Sequence, residues 1–207
     1  MKKLLLVSMA IISVSLAKAQ PVSDIAIIPI GVNLNSILRL QVVSGGNIEF
    51  AVNTIAQYTN GIANTTGTTT TFNVSSTVIF DVNLYAEGAN MTGTDLGGTL
   101  DVKNIGFQMG YGGNLAAAPR AAAYTINSLT AKTVLASAKG ASSLIVDGLN
   151  STCAGNAAQN TFTIAWELAT NDVLTAVGGL GAANTLLIQG KKADRYVINT
   201  FLDLDAQ

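Results

Sequence analysis

The sequence contains no histidine and a single cysteine, Cys153. The first absence removes the commonest general base and metal ligand, and with it any Ser-His-Asp triad. The second excludes a cysteine-built zinc cage and an intrachain disulfide, so stability must come from core packing, strand pairing or assembly. Within "STCAGN", Cys153 reads as a small, partly buried thiol. Charge is scarce as well, at 11 % of residues, while Thr, Asn, Ser and Gly are abundant. The solvent faces are therefore neutral and polar, which suits packing against other proteins or a crowded cell surface. No segment of useful length carries a 3.6-residue apolar stripe, and no repeat or linker divides the chain.

What is present begins with residues 1–19. Lys2 and Lys3 precede the apolar run "LLLVSMAIISVSL", and Ala17-Lys18-Ala19 precedes Gln20. That order of charge, apolar core and small-residue cleavage site predicts a secretory signal peptide, too short and wrongly flanked for a membrane span. Its removal also takes Lys2, Lys3 and Lys18, leaving eight basic against twelve acidic side chains, a net charge of about −4. Nucleic-acid affinity rests on clustered Lys and Arg, so a phosphate-binding surface is not expected. The expected address is export, through a periplasm, to the cell surface or the extracellular medium, with no membrane span after signal removal.

Residues 20–207 are read as one domain dominated by period two, the mark of strands with one buried face. "TFNVSSTVIFDVNLYA" sets Phe72, Val74, Val78, Phe80, Val82, Leu84 and Ala86 on one parity. "TFTIAWELA" sets Phe162, Ile164, Trp166 and Leu168 opposite Thr161, Thr163 and Glu167, and "DRYVINTFLDLDAQ" sets Tyr196, Ile198, Leu202 and Leu204 on one face. Less regular strands are expected in "NIEFAVNTI" (47–55), "TLDVKNIGFQMGY" (99–111), "AAYTINSLT" (122–130), "SSLIVDG" (142–148) and "NTLLIQG" (184–190). In the second of these the apolar parity switches, and a bulge near Asn104 would explain it. Gly/Asn-rich clusters between the runs mark reversals, and "NLAAAPRAAA" allows at most a helical turn before Pro119. Many short strands with Gly/Asn turns and no helices between them predict an all-β chain, a single antiparallel β-sandwich of Ig-like or pilin-like kind.

Chemistry-bearing patterns are few. Asp203-x-Asp205 lacks the Gly-containing loop of a calcium hand and reads as a solvated chain end. "GYGGN" and "GGLGAAN" lack the Lys-Ser/Thr of a phosphate cradle, and "GKKADR" (190–195), the one basic cluster, reads as a solvated turn. Trp166 alternates with apolar neighbours and is assigned to the core rather than to a sugar platform. The Thr stretch "TTGTTTT" is one patch without the repeat that an ice-binding face would need. The twelve acids are scattered singly, which argues against the paired carboxylates of a glycoside hydrolase. No catalytic residue, cofactor or metal ligand is assigned, and the chain is read as non-enzymatic.

The most distinctive stretch is "SDIAIIPIGVNLNSILRLQVVSGG" (23–46), whose even positions are Ala26, Ile28, Ile30, Val32, Leu34, Leu38, Leu40 and Val42. As one strand, Ala26 to Val42 would span about 55 Å at 3.3 Å per residue, so it must break, and "NLNS" (33–36) is the natural place. This gives an N-terminal strand arm at 23–34 and a second strand around 37–43. Pro29 lacks a donor N–H, which confines the arm to an edge or to one-sided pairing at that point. Burying Ala26, Ile28, Ile30, Val32 and Leu34 would contribute about 5–10 kcal/mol before ordering costs. The arm can satisfy the pattern by pairing within its own sheet or by pairing with a neighbouring subunit.

An alternating N-terminal arm, then "ILRLQVVSGGNIEF" (37–50) and a series of Thr/Asn-rich strands, resembles secreted pilin-like β-sandwich domains of Gram-negative bacteria, the fimbrial-subunit and spore-coat-U-like group. Leu38 to Phe50 carries the sharpest part of that likeness. The chain departs by lacking the disulfide many fimbrial subunits carry, which bears on any chaperone-and-usher route. The resemblance implies a fimbria-like subunit whose N-terminal strand, with Ala26, Ile28, Ile30, Val32 and Leu34 as assembly residues, enters the groove of the next. Expected partners are then other copies or related surface subunits. The alternative is an extracellular carbohydrate- or surface-binding, adhesin-like module with glycan partners, using Tyr58, Tyr85, Tyr111 and Tyr124.

Overall fold

The computed structural model describes residues 28–112 and 122–207. The chain divides into two units, Met1–Leu34 and Asn35–Gln207. The signal-peptide reading, Ala26 and most of the Ala-rich turn around Pro119 lie outside the described residues. In the first unit, residues 28–34 form no strand, and Ile28, Ile30, Val32 and Leu34 are 80, 86, 78 and 89 % exposed. The period-two row is therefore present in sequence without a ladder in that described part.

The second unit is all-β, with every paired strand antiparallel. Its strands are β1 (Leu38–Ser44), β2 (Thr69–Ser76), β3 (Phe80–Ala86), β4 (Asn90–Gly93), β5 (Thr99–Asp101), β6 (Ile105–Tyr111), β7 (Tyr124–Ile126), β8 (Thr133–Val134), β9 (Leu144–Gly148), β10 (Thr161–Leu168), β11 (Tyr196–Val197) and β12 (Thr200–Ala206). Among the described residues, three short α-helices, α1 (Ile55–Asn60), α2 (Asn171–Thr175) and α3 (Leu186–Gln189), sit in the connections. A five-stranded sheet has the order β1-β2-β10-β6-β8, a four-stranded sheet β12-β3-β9-β7, and a three-stranded sheet β11-β4-β5. Strands β1 and β12 thus each form the edge of a sheet.

Alternation decides which side chains meet. Along β2, Phe72 and Val74 are fully buried while Thr71, Asn73 and Ser75 are half-buried on the other face. Phe72 stands opposite Phe162 in the β2–β10 register, and their rings stack with centroids 5.3 Å apart. Phe80, Val82 and Leu84 of β3 join Val74, Phe107, Ile164 and Trp166 in one core, so the five- and four-stranded sheets bury their apolar faces in the same cluster. A second cluster, with Met91, Leu100, Leu168, Leu174 and Leu186, seats the three-stranded sheet and the short helices.

The structure corrects several sequence expectations. "TFNVSSTVIFDVNLYA" is two strands in different sheets: Ser76 Oγ accepts from Val78 N at 3.0 Å and donates to its carbonyl at 2.6 Å, turning the chain between β2 and β3 while keeping apolar parity. The parity switch at Asn104 is no bulge. A single 3-10 turn at Val102–Asn104, capped by Asp101, carries the chain from the three-stranded to the five-stranded sheet. Within 184–190, Leu186–Gln189 is helical rather than a strand, because Thr185 caps its N-terminus and Gly190 accepts the left-handed φ of 58° that ends it. The C-terminal row is divided between β11 and β12, and residues 47–54 form no strand. Cys153 is fully buried rather than partly so.

Glu167, expected on the polar side of β10, is buried and binds Lys132 Nζ at 2.6 Å. Thr170 donates to the other carboxylate oxygen at 2.7 Å, and Asp172 lies 3.2 Å from the ammonium. Burial works against the charge on Lys132, but hydrogen bonds to Glu167 and Asp172 outweigh it and raise its pKa above 10.5. A raised lysine pKa makes the stabilisation complete below the unfolded value and loses it as pH climbs through the folded one. Lys132→Met would leave Glu167 buried and unpaired, at a cost of about 3 kcal/mol. Urea denaturation at pH 7 checks this, and Lys132→Met/Glu167→Gln should recover most of the loss.

Candidate functional site

The site lies wholly within Asn35–Gln207, where the edges β1 and β12 leave a groove of about 780 Å³ between them. Leu84, Ile164 and Trp166 line it from the core, Leu40 and Val42 from β1, and Leu202 from β12. The register explains the β1 wall: Leu40 stands opposite the buried Val74, and Val42 opposite the buried Phe72, so both face the core side, with no strand beyond β1 among the described residues. At one end the groove runs into the second apolar cluster at Met91, Leu100 and Leu186.

Residues 46–52 border the groove in an unusual way. Ile48, Phe50 and Val52 are half-buried and alternate with exposed Asn47, Glu49 and Ala51, the pattern of a strand. Yet this backbone pairs with no strand among the described residues, and the chain then turns into α1, where Thr54 and Gln57 form a capping box. Three backbone lines around the groove, β1, residues 46–52 and β12, therefore offer N–H and C=O groups that the sheets do not use.

The corner joining β1 to that border is fixed. Gly45 has φ 67°, and a Cβ there would meet the Thr69 carbonyl at 2.1 Å. Thr70 Oγ1 donates to the Gly45 carbonyl at 2.6 Å and accepts from Trp166 Nε1 at 2.8 Å. Trp166 is thus a core residue, as its alternation implied, and also part of the groove's floor.

The opposite rim is the basic cluster that the sequence presents as a simple turn. Asp194 accepts from the amides of Leu96 at 2.9 Å, Asp95 at 3.1 Å and Arg195 at 2.7 Å. The Leu96 amide leads these bonds in lowering its pKa against the burial that would raise it, so Asp194 stays ionised and offers no proton for acid catalysis. Arg195 reaches Glu49 at 3.3 Å across the rim. Lys191 and Lys192 line the same rim, exposed, and form no ion pair among the described residues.

Other singled-out residues fall elsewhere. Asp203 and Asp205 project from β12 and are clasped by Lys139, at 2.8 Å to each, rather than forming a free chain end. The Lys139 hydrogen bond lowers the Asp203 pKa against its partial burial, and both acids raise that of Lys139. The four tyrosines do not converge: Tyr111 and Tyr124 pack on Phe162, Tyr85 on Phe201, and Tyr58 lines the groove. Among the described residues no group of His, Cys, Asp or Glu could hold a metal ion, and no helix is long and apolar enough to cross a membrane. No protein-family model matches this chain, and no curated protein matches it either.

Proposed function

We propose that this protein is an exported, non-enzymatic structural subunit of the cell surface or of a fimbria-like filament. On this reading it is a β-sandwich that associates with other copies by β-strand addition. The observation that carries the reading is the groove of about 780 Å³, apolar inside and bordered by unpaired backbone. Such a groove suits an extended segment: backbone hydrogen bonds supply affinity and alternate side chains fill pockets. Ile28, Ile30, Val32 and Leu34 are such a set, and burying them would supply most of the about 5–10 kcal/mol expected of the whole row before ordering costs.

Register favours a second copy as donor over the chain's own groove. Folding back beside β1 through a two-residue turn at Asn35-Ser36 would pair Leu34 with Ile37. Asn33, Gly31 and Pro29 would then face inward beside Leu38, Leu40 and Val42, and the apolar row would face solvent. Lengthening the turn by one residue restores the row but gives up Leu34 and asks Ser36 for the left-handed conformation of a three-residue loop. Turning at Ile37 instead would break its bonds to Thr77, in which the Ile37 amide donates to the hydroxyl at 2.8 Å and the Ile37 carbonyl accepts from the amide at 2.9 Å and from the hydroxyl at 3.4 Å. A neighbour's segment meets none of these constraints.

Deleting residues 20–32 tests the reading without removing any residue of either apolar cluster. The secreted variant should remain folded and monomeric by sedimentation while the full chain assembles. A peptide of residues 23–35 should then bind the variant and shift the emission of Trp166, the single tryptophan. Unchanged assembly of the deleted chain would show that the arm is not the donor.

A further inference from the structure

The groove carries a charge polarity that sets the direction of its occupant. One end of it lies where β1 finishes, at Val42 and Gly45, and where β12 starts, at Thr200 to Leu202. Lys191 and Lys192 stand at that end. The neighbouring charges there are already engaged, Arg195 by Glu49 and Asp194 by three backbone amides. At the far end of β12, Asp203 and Asp205 share the ammonium of Lys139 and do not line the groove, and Asp81 stands across the ladder from Asp205. Along β12 the uncompensated cationic charge is therefore confined to the end where the strand starts.

Among residues 20–35 one side chain is charged, Asp24. It precedes Ile28 by four residues, about 13 Å of extended chain, and so reaches past the apolar row to whichever end the strand's N-terminus occupies. Resting on strand addition as proposed above, we infer that a second copy's N-terminal segment lies antiparallel to β1 and parallel to β12, with the Asp24 carboxylate held between Lys191 and Lys192. The reverse orientation would carry Asp24 to the end where Asp203 and Asp205 already share Lys139, and would leave Lys191 and Lys192 without a counter-charge. Pairing of this exposed kind adds little to affinity but chooses between two orientations that bury the same apolar row.

Full-length chains test the direction. Asp24→Lys should raise the concentration at which half the protein sediments as assembled material about threefold to tenfold at low ionic strength, and less at high salt. Lys191→Glu/Lys192→Glu should do the same, and the chain carrying all three changes should return close to the unaltered value. If the triple variant assembles no better than its parents, or if neither parent is weakened, the orientation is overturned while strand addition stands. If Asp24→Lys strengthens assembly, the opposite direction holds. If the unaltered full chain forms no assembly, strand addition itself falls.

Discussion

Ile30→Lys is expected to weaken assembly about a thousandfold while leaving the folded domain as stable as before. Ile30 is 86 % exposed in the single chain, so its replacement removes no packing there and should change folding stability by no more than about 0.5 kcal/mol. On the proposed strand addition, the same position would enter the groove lined by Leu40, Ile164, Trp166 and Leu202. The variant forfeits the transfer of one large apolar side chain, about 1.5–3 kcal/mol, and drives an unpaired ammonium against apolar walls. A combined loss of about 4 kcal/mol corresponds to three decades in the association constant. Because strand side chains alternate, Asn33→Lys on the opposite parity should weaken assembly only a few fold. Sedimentation of the two variants side by side reads the difference, and equal losses would mean that the segment does not enter as a strand.

Much of the fold was legible because alternation is a local signal. The even-numbered apolar rows of β2, β3 and β10 do supply the inward faces of their sheets, and a strand does run from Leu38 to Ser44 near the expected 37–43. What alternation could not reveal was whether a row has a ladder partner. Residues 47–52 alternate as cleanly as a strand yet pair with no strand among the described residues, and their side chains border the groove. Short apolar runs also hide helices, and at 184–190 the deciding residues were the cap Thr185 and the terminating Gly190 rather than the leucines between them. Glu167 was read by parity alone, although a buried carboxylate depends on a partner 35 residues away in sequence, Lys132.

The candidate site was less legible than the fold for a related reason. Its walls come from Leu40, Phe50, Leu84, Trp166 and Ile198, which no motif or spacing links. The turn at 190–195 held the one concentrated charge signal, and its meaning depends on the β1 and β12 edges nearby. The N-terminal row was visible at once, but a period-two row says nothing of where a partner edge lies.

Phe162→Ala separates fold stability from assembly at the other extreme. Phe162 is fully buried at the middle of the five-stranded sheet, with ring centroids 5.3 Å from Phe72, 5.3 Å from Tyr111 and 5.7 Å from Tyr124. Removing the ring opens a cavity that strands β2, β6 and β10 cannot close while their ladders hold, so the loss should reach about 3–5 kcal/mol. That is a large share of the roughly 5–15 kcal/mol that separates native from unfolded domains, and it should lower Tm by about 10–15 °C. The neighbouring Tyr124 limits the damage to packing, since its hydroxyl still donates to the Cys153 carbonyl at 2.9 Å. Phe162 does not line the groove, whereas Ile164 and Trp166 on the same strand do. Below its lowered Tm the variant should therefore still assemble within a few fold of the unaltered chain, the reverse of Ile30→Lys. Calorimetry paired with sedimentation at 10 °C reads both effects, and loss of assembly in a variant still folded at that temperature would mean that the core, not the groove, sets the association.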